Sequence, residues 1–179
     1  DAASPSIFPV IELQEVCYTY QSDTGVAPPA LDGVTLSIDS GSFIALVGPN
    51  GSGKSTLMQH LNGLLMPDSG NVLIDGLDLT TKDTDLKSIR QQVGLIFQFP
   101  EAQLFEETVY DDVAFGPRNL GISEDEVKDR VGRALEQVRI DPDVFASRVP
   151  FTLSGGEKRR VAIAGILAMH PRFLVLDEP

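Results

Sequence analysis

The 179-residue chain has no tryptophan, a single cysteine and two histidines. One thiol, Cys17, rules out an internal disulfide framework and fits a reducing compartment; within an alternating apolar stretch it reads as a small buried hydrophobe. Long apolar runs are also missing. The longest, "VAIAGILAM" at 161–169, is about half of what a bilayer-spanning helix needs, so a soluble chain is expected. The opening "DAASPSIFPV" has neither a basic region nor a long apolar core; it does not read as a signal peptide, and 1–9 are expected to be a flexible lead-in. Basic residues are scarce. Lys and Arg number 14 against 26 Asp and Glu, a net charge of −12, which excludes a broad phosphate-backbone surface and with it a nucleic-acid partner. A nucleotide is not excluded, because a single phosphate group can be held by local N–H dipoles, one lysine and a metal.

What the chain does have is glycine in a particular place. "VGPNGSGKST", 47–56, follows the apolar run "SFIALV". Each glycine costs conformational entropy, so three in so short a span must serve a backbone purpose. With a buried strand at 43–47 and a helix at 55–65, the glycines form the turn between them, and the bared N–H groups and the helix dipole face an anion. Gly48, four residues, then Gly53-Lys54-Ser55 is the phosphate-binding P-loop: Lys54 reaches the β- and γ-phosphates and Ser55 ligates Mg²⁺. The phosphate-binding set is Gly48, Asn50, Gly51, Ser52, Gly53, Lys54, Ser55 and Thr56.

The surrounding pattern is mixed α/β. "VIELQEVCYTY" from Val10 alternates as a strand, and "LDGVTLSIDSGSFIALVG" reads as two strands joined by a Ser-Gly turn. "NVLIDGLDL" gives short strands around Asp75-Gly76, "TDLKSIRQQ" a short helix, and "VGLIFQ" a buried strand ending at Gln98. From about 100 to 151 the texture becomes mostly helical. Within it, 123–138 is an amphipathic helix with Ser123 as N-cap and Glu126 completing a capping box. "LSGGEKRRVAIAGILAM" places Ser154 as an N-cap and an apolar stripe through Val161, Ala164, Leu167 and Ala168. "RFLVLDEP" is an apolar strand ending in two carboxylates. A P-loop enzyme needs such an acid on the far side of its Mg²⁺. Asp177 would hold the metal, and Glu178, pointing the other way along an extended strand, would orient and deprotonate the attacking water.

Taken together, the chain resembles the nucleotide-binding domain of an ABC-type ATPase. "GPNGSGKST" resembles Walker A, "LSGGEKRR" the ABC signature and "FLVLDEP" Walker B with its catalytic glutamate, in the family's order and across residues 10–179. The resemblance implies a P-loop NTPase α/β core, an antiparallel β-subdomain near the N-terminus and a helical subdomain inserted at about 100–151. It implies that Tyr20, or less readily Tyr18, stacks on adenine, and that Gln98, as the Q-loop glutamine, touches Mg²⁺ and the attacking water. Ser154, Gly155 and Gly156 would meet the γ-phosphate held by a second, identical or related ATPase subunit, head to tail. Lys158, Arg159 and Arg160 are either a solvated helical face or further phosphate contacts.

"FQFPEAQLFEETVYDDVAFGPRNLG" is similar to the ATPase subunits of energy-coupling factor importers for vitamins or transition-metal ions. That similarity implies ATP and Mg²⁺ as ligands, peripheral attachment at the cytoplasmic face of the cell membrane, and a membrane-embedded partner docked on 99–112, where Phe99, Leu104, Phe105, Val109 and Tyr110 cluster. Val109 and Phe115 could equally be core residues. The alternatives are a non-transport ABC ATPase module and a nucleotide-binding fragment without turnover. The family's loop beyond Asp-Glu-Pro and its switch histidine are not among these residues; His60 and His170 read as structural or solvated. Little or no hydrolysis is therefore expected of these 179 residues alone.

Overall fold

The computed structural model describes residues 9–21 and 28–178. The expected lead-in thus lies outside the described residues, apart from residue 9, where the first strand begins. The chain divides into two compact units, Asp1–Arg90 and Gln91–Pro179.

The first unit is built on an antiparallel sheet of four strands, β1 (Pro9–Tyr18), β2 (Leu31–Asp39), β3 (Ser69–Ile74) and β4 (Leu77–Asp78), in the order β2-β1-β3-β4. Its buried face follows the two-residue period of a strand: Ile11 lies opposite Ile74 and Leu13 opposite Val72, all four buried. The period then breaks. Val16, three residues after Leu13, is also fully buried, because the register slips between them. Glu15 takes a left-handed backbone (φ 51°) at the slip, as a bulge requires. Gly70 on β3 crosses the same place at φ 87°, where a Cβ would lie 2.3 Å from the Glu15 carbonyl oxygen, so no side chain fits there. Half-buried Cys17 accepts the Gly33 N–H at 3.1 Å; it is less enclosed than a core hydrophobe. Helix α1 (Lys54–Leu61) packs on this unit through Leu57 and Leu61. It stops four residues short of the expected 65, because Gly63 turns left-handed (φ 66°) just past the cap at Asn62.

One expectation fails here. Residues 43–47 form no strand, and Phe43 and Val47 are 94% and 90% exposed. The sequence has the right apolar composition, but a strand exists only through a ladder. Among the described residues no strand pairs with this segment.

Helix α2 (Leu86–Gln92) leads into the second unit, where β5 (Val93–Ile96), buried throughout, pairs in parallel with β6 (Phe173–Leu176). Between them lie α3 (Val109–Asn119), α4 (Glu124–Gln137), α5 (Pro142–Phe145) and α6 (Gly155–Leu167). Their shared core joins Val109 and Val113 of α3, Val127, Val131 and Leu135 of α4, and Val161 and Ala164 of α6. Ser123 caps α4 by accepting the Glu126 N–H at 3.3 Å, yet the box does not close: the Glu126 carboxylate turns to Arg130, one turn on. The reciprocal box forms instead at α6, between Ser154 and Glu157. A second acidic cap starts α3, where Thr108 accepts the Asp111 N–H and donates to its carboxylate. The Thr108 hydroxyl first, then Arg118, holds the Asp111 carboxyl below its ordinary value.

Candidate active site

The first unit carries the P-loop. Helix α1 starts at Lys54 from Gly53, which takes φ 87° and offers no side chain to cap the helix. Its first turn holds no acidic residue, so the leading N–H groups and the positive end of the dipole stay available to an anion. Gly53 is sterically compulsory: a Cβ there would sit 2.4 Å from the Ala30 carbonyl oxygen. Gly51 is left-handed too (φ 80°), and a Cβ on Gly48 would come 2.9 Å from Ser52 Oγ. Lys54 Nζ bends back over the loop and donates to the carbonyls of Gly48 and Pro49, both at 2.9 Å. The loop thus holds a cation against its own oxygens, with Asn50, Gly51, Ser52 and Ser55 exposed around it.

Tyr20 stands beside this loop. Its hydroxyl lies 3.1 Å from Thr56 Oγ1, and its ring is about half exposed. Tyr18 is wedged edge-on between Tyr20 (5.0 Å between centroids) and His60 (4.9 Å). Of the two tyrosines, Tyr20 has the freer ring face. His60 is fully buried with Nδ1 2.7 Å from the Thr56 carbonyl oxygen; the expected structural reading holds for it, while His170 is exposed at φ 53°.

The second unit carries the carboxylates. Asp177, one residue past β6, continues the parallel ladder by donating its N–H to the Ile96 carbonyl at 2.9 Å, and its side chain is buried. Glu178 is exposed and left-handed (φ 48°), a conformation that costs a non-glycine residue about 1 kcal/mol or more. The two carboxyls therefore diverge, but through a turn of the backbone rather than the alternation of an extended strand. Exposed Gln98, just after β5, donates from Nε2 to Glu178 Oε2 at 2.7 Å. Parallel pairing of β5 with β6 explains this meeting of residues 80 positions apart.

At the start of α6, Ser154, Gly155 and Gly156 are exposed. The Ser154 N–H and hydroxyl both donate to Glu157 Oε2, at 2.7 and 2.6 Å, and these bonds hold the Glu157 carboxyl below its ordinary value. The Ser-x-x-Glu spacing makes this box possible in sequence, as it does at Ser123, where the box stays open. The basic trio does not behave as one face. Lys158 lies over the Phe151 ring at 6.0 Å, and Arg159 Nη2 donates to the Glu178 carbonyl oxygen at 2.6 Å. No motif in the sequence announces that last bond.

The 99–112 cluster also separates into two kinds of residue. Leu104 and Val109 belong to the helical core and Tyr110 is packed against it. Phe99 and Phe105 are 64% and 59% exposed, and Phe115 is 46% exposed with its ring edge-on to Phe105 at 4.9 Å. The expected apolar surface is thus made of phenylalanines, and Leu104 is a core residue.

A family model described as "ABC transporter" matches residues 31–179. The chain belongs to the ABC transporter family. Among its curated relatives, the energy-coupling factor transporter ATP-binding protein EcfA2 of Symbiobacterium thermophilum is 57% identical over 169 residues, 94% of this chain and 58% of that protein. The protein of that name from Caldanaerobacter subterraneus is 56% identical over 94% of this chain and 59% of its own length. This ABC chain spans a little under three fifths of the length of these two relatives. Among solved structures, cbiO1 of Clostridium perfringens, part of the ABC transporter complex cbiONQ, superposes with a TM-score of 0.81 at 39% identity, covering 96% of this chain and 66% of that one. The ATP-binding cassette MJ0796, in a dimeric post-hydrolysis state bound to ADP and Pi, gives 0.82 at 31% identity over 93% of this chain and 72% of that one. The fold is the P-loop NTPase α/β fold with an antiparallel N-terminal sheet.

Proposed function

We propose that this ABC chain binds and hydrolyses ATP with Mg²⁺ to power an energy-coupling factor type importer for vitamins or transition-metal ions. The observation that carries the proposal is the P-loop: a cation held over a glycine turn at the bare, acid-free start of α1. The names of its relatives favour transport over a non-transport ABC module or a nucleotide-binding fragment without turnover. Residues 10–179 act as one ATP-binding domain with a helical insert at about 100–151.

Lys54 exchanges its two carbonyl partners for phosphate oxygens, and the N–H groups of Gly48 to Thr56, Asn50, Gly51, Ser52 and Gly53 included, cradle the phosphates. Tyr20 offers its open ring face to adenine. Ser55, Asp177 and Gln98 supply hard oxygen donors, the kind that suits Mg²⁺. Held by these residues, Mg²⁺ would neutralise charge developing on the phosphate. Gln98 orients the attacking water, and Glu178 takes its proton as the P–O bond to the leaving ADP breaks. Ser154, Gly155 and Gly156 approach the γ-phosphate bound to a second ATPase subunit, identical or related, arranged head to tail.

Among the described residues no helix is long and apolar enough to cross a membrane. Attachment at the cytoplasmic face would run through a membrane-embedded partner, for which exposed Phe99, Phe105 and Phe115 form the docking surface. The deciding experiment is titration with a fluorescent ATP analogue. Lys54→Ala removes a charged phosphate contact, about 1.5–3 kcal/mol, so affinity should fall roughly tenfold to a hundredfold. Equal affinities of variant and parent would defeat the reading.

A further inference from the structure

Glu178 sits in a backbone conformation that needs external support. It has φ 48° and is exposed, and a strained non-glycine residue persists only where its surroundings fix it. Two bonds do so. Gln98 Nε2 holds the carboxylate at 2.7 Å, and Arg159 Nη2 holds the main-chain carbonyl at 2.6 Å. Gln98 comes from just after β5. Arg159 comes from the first turns of α6, the helix whose capped start is the signature segment. One nitrogen of its guanidinium is given to that carbonyl. It fixes the peptide that aims the glutamate.

We propose that Arg159 is a positioning residue for hydrolysis: by bonding the Glu178 carbonyl it locks the left-handed turn after Asp177 and so sets the direction in which the carboxylate meets water. The proposal rests on the reading of Glu178 as the general base. Arg159 touches neither water nor phosphate in this role. Its loss should therefore lower kcat without changing how tightly ATP binds. Because a single N–H donor makes the contact, a lysine ammonium can replace it; a methylene chain cannot.

The test uses the ATPase at the length of its curated relatives, in the assembly that turns over ATP. Glu178→Gln sets the reference: abolished hydrolysis with ATP binding retained supports the base assignment, and retained hydrolysis overturns it together with the positioning role. Arg159→Met keeps the stem and its packing while removing every donor. Its kcat should fall about tenfold to a hundredfold, the usual effect of removing a group that orients a reacting one. KM for ATP, affinity for the fluorescent analogue and the thermal midpoint should match the parent, and Arg159→Lys should recover most of the lost kcat. With Glu178→Gln inactive, a parental kcat in Arg159→Met overturns the positioning role alone. A matching loss of ATP affinity reassigns Arg159 to phosphate binding, a lowered midpoint reassigns it to structure, and no recovery in Arg159→Lys rejects the single-donor contact; each of these overturns the proposal.

Discussion

His60 shows what one buried side chain does to the pH response of the first unit. Burial is the main force on it and pulls its pKa below the ordinary histidine value, while the Thr56 carbonyl, Met66 backbone and Asp68 charge resist. The unfolded chain therefore binds a proton more readily than the folded one as pH falls below about 6.5. Stability should decline from pH 7.5 to pH 5.5, by no more than about 1.4 kcal/mol per pH unit, the limit for one titrating group. His60→Phe keeps a ring under Tyr18 and should flatten this decline in urea unfolding curves; an unchanged slope would assign it to other groups. At Gly53 the constraint is steric. Gly53→Ala would bring a methyl 2.4 Å from the Ala30 carbonyl at φ 87°, so it should destabilise the first unit by more than about 1 kcal/mol and weaken ATP-analogue binding with it. Glu178→Gln separates binding from chemistry, because an amide keeps the shape but accepts no proton. In the protein at the length of its curated relatives, turnover should vanish while an ATP-dependent dimer accumulates on size exclusion; undiminished turnover with no dimer would move the base elsewhere.

At the scale of elements, the two serine caps give a direct comparison. Ser123 supplies a one-way cap to α4, whereas Ser154 and Glu157 close a reciprocal box on α6. Replacing an N-cap serine by alanine costs about 0.5–2 kcal/mol. Ser154→Ala should fall in the upper part of that range and Ser123→Ala in the lower part, read as shifts in urea midpoint; the reverse order would show that the box geometry contributes nothing. These elements also show why some of the structure was legible in sequence. Period-2 and helical patterns located β1, α4 and α6, because burial of one face is written directly into residue order, and a continuous apolar run located β5, which is buried throughout. The glycine turn before Lys54 was legible because only glycine tolerates its backbone. Residues 43–47 were misread as a strand because composition reports apolarity, while a strand depends on a neighbour that the segment itself does not encode. Ser123 and Ser154 present the same Ser-x-x-Glu spacing; which box closes depends on whether Arg130 lies one turn on to take the glutamate. The Arg159 contact was beyond reach for the same reason: a basic side chain on a helix can face solvent, phosphate or carbonyl, and tertiary placement decides.

For the whole molecule, the net charge of −12 makes association through phosphate backbones unfavourable, so any docking must rely on local chemistry. The second unit presents such chemistry immediately after Gln98. Phe99, Phe105 and Phe115 stay exposed although the helices beneath them have a well-filled core, and apolar groups left out at that density mark an interface. Leu104 and Val109, their neighbours in sequence, belong to that core, so changing them would test folding rather than docking. Gln98 bonds Glu178 and is followed directly by Phe99, so a partner gripping the phenylalanines would feel changes at the Glu178 carboxylate through a short stretch of chain. That arrangement supplies two distinct sites and a physical connection between them, which coupling requires. Phe99→Asp with Phe105→Asp should therefore abolish co-purification with the proposed membrane-embedded partner, while affinity for the fluorescent ATP analogue and the thermal midpoint of the isolated chain stay at parental values. Co-purification surviving both charges would remove the docking surface from this segment and weaken the importer reading with it.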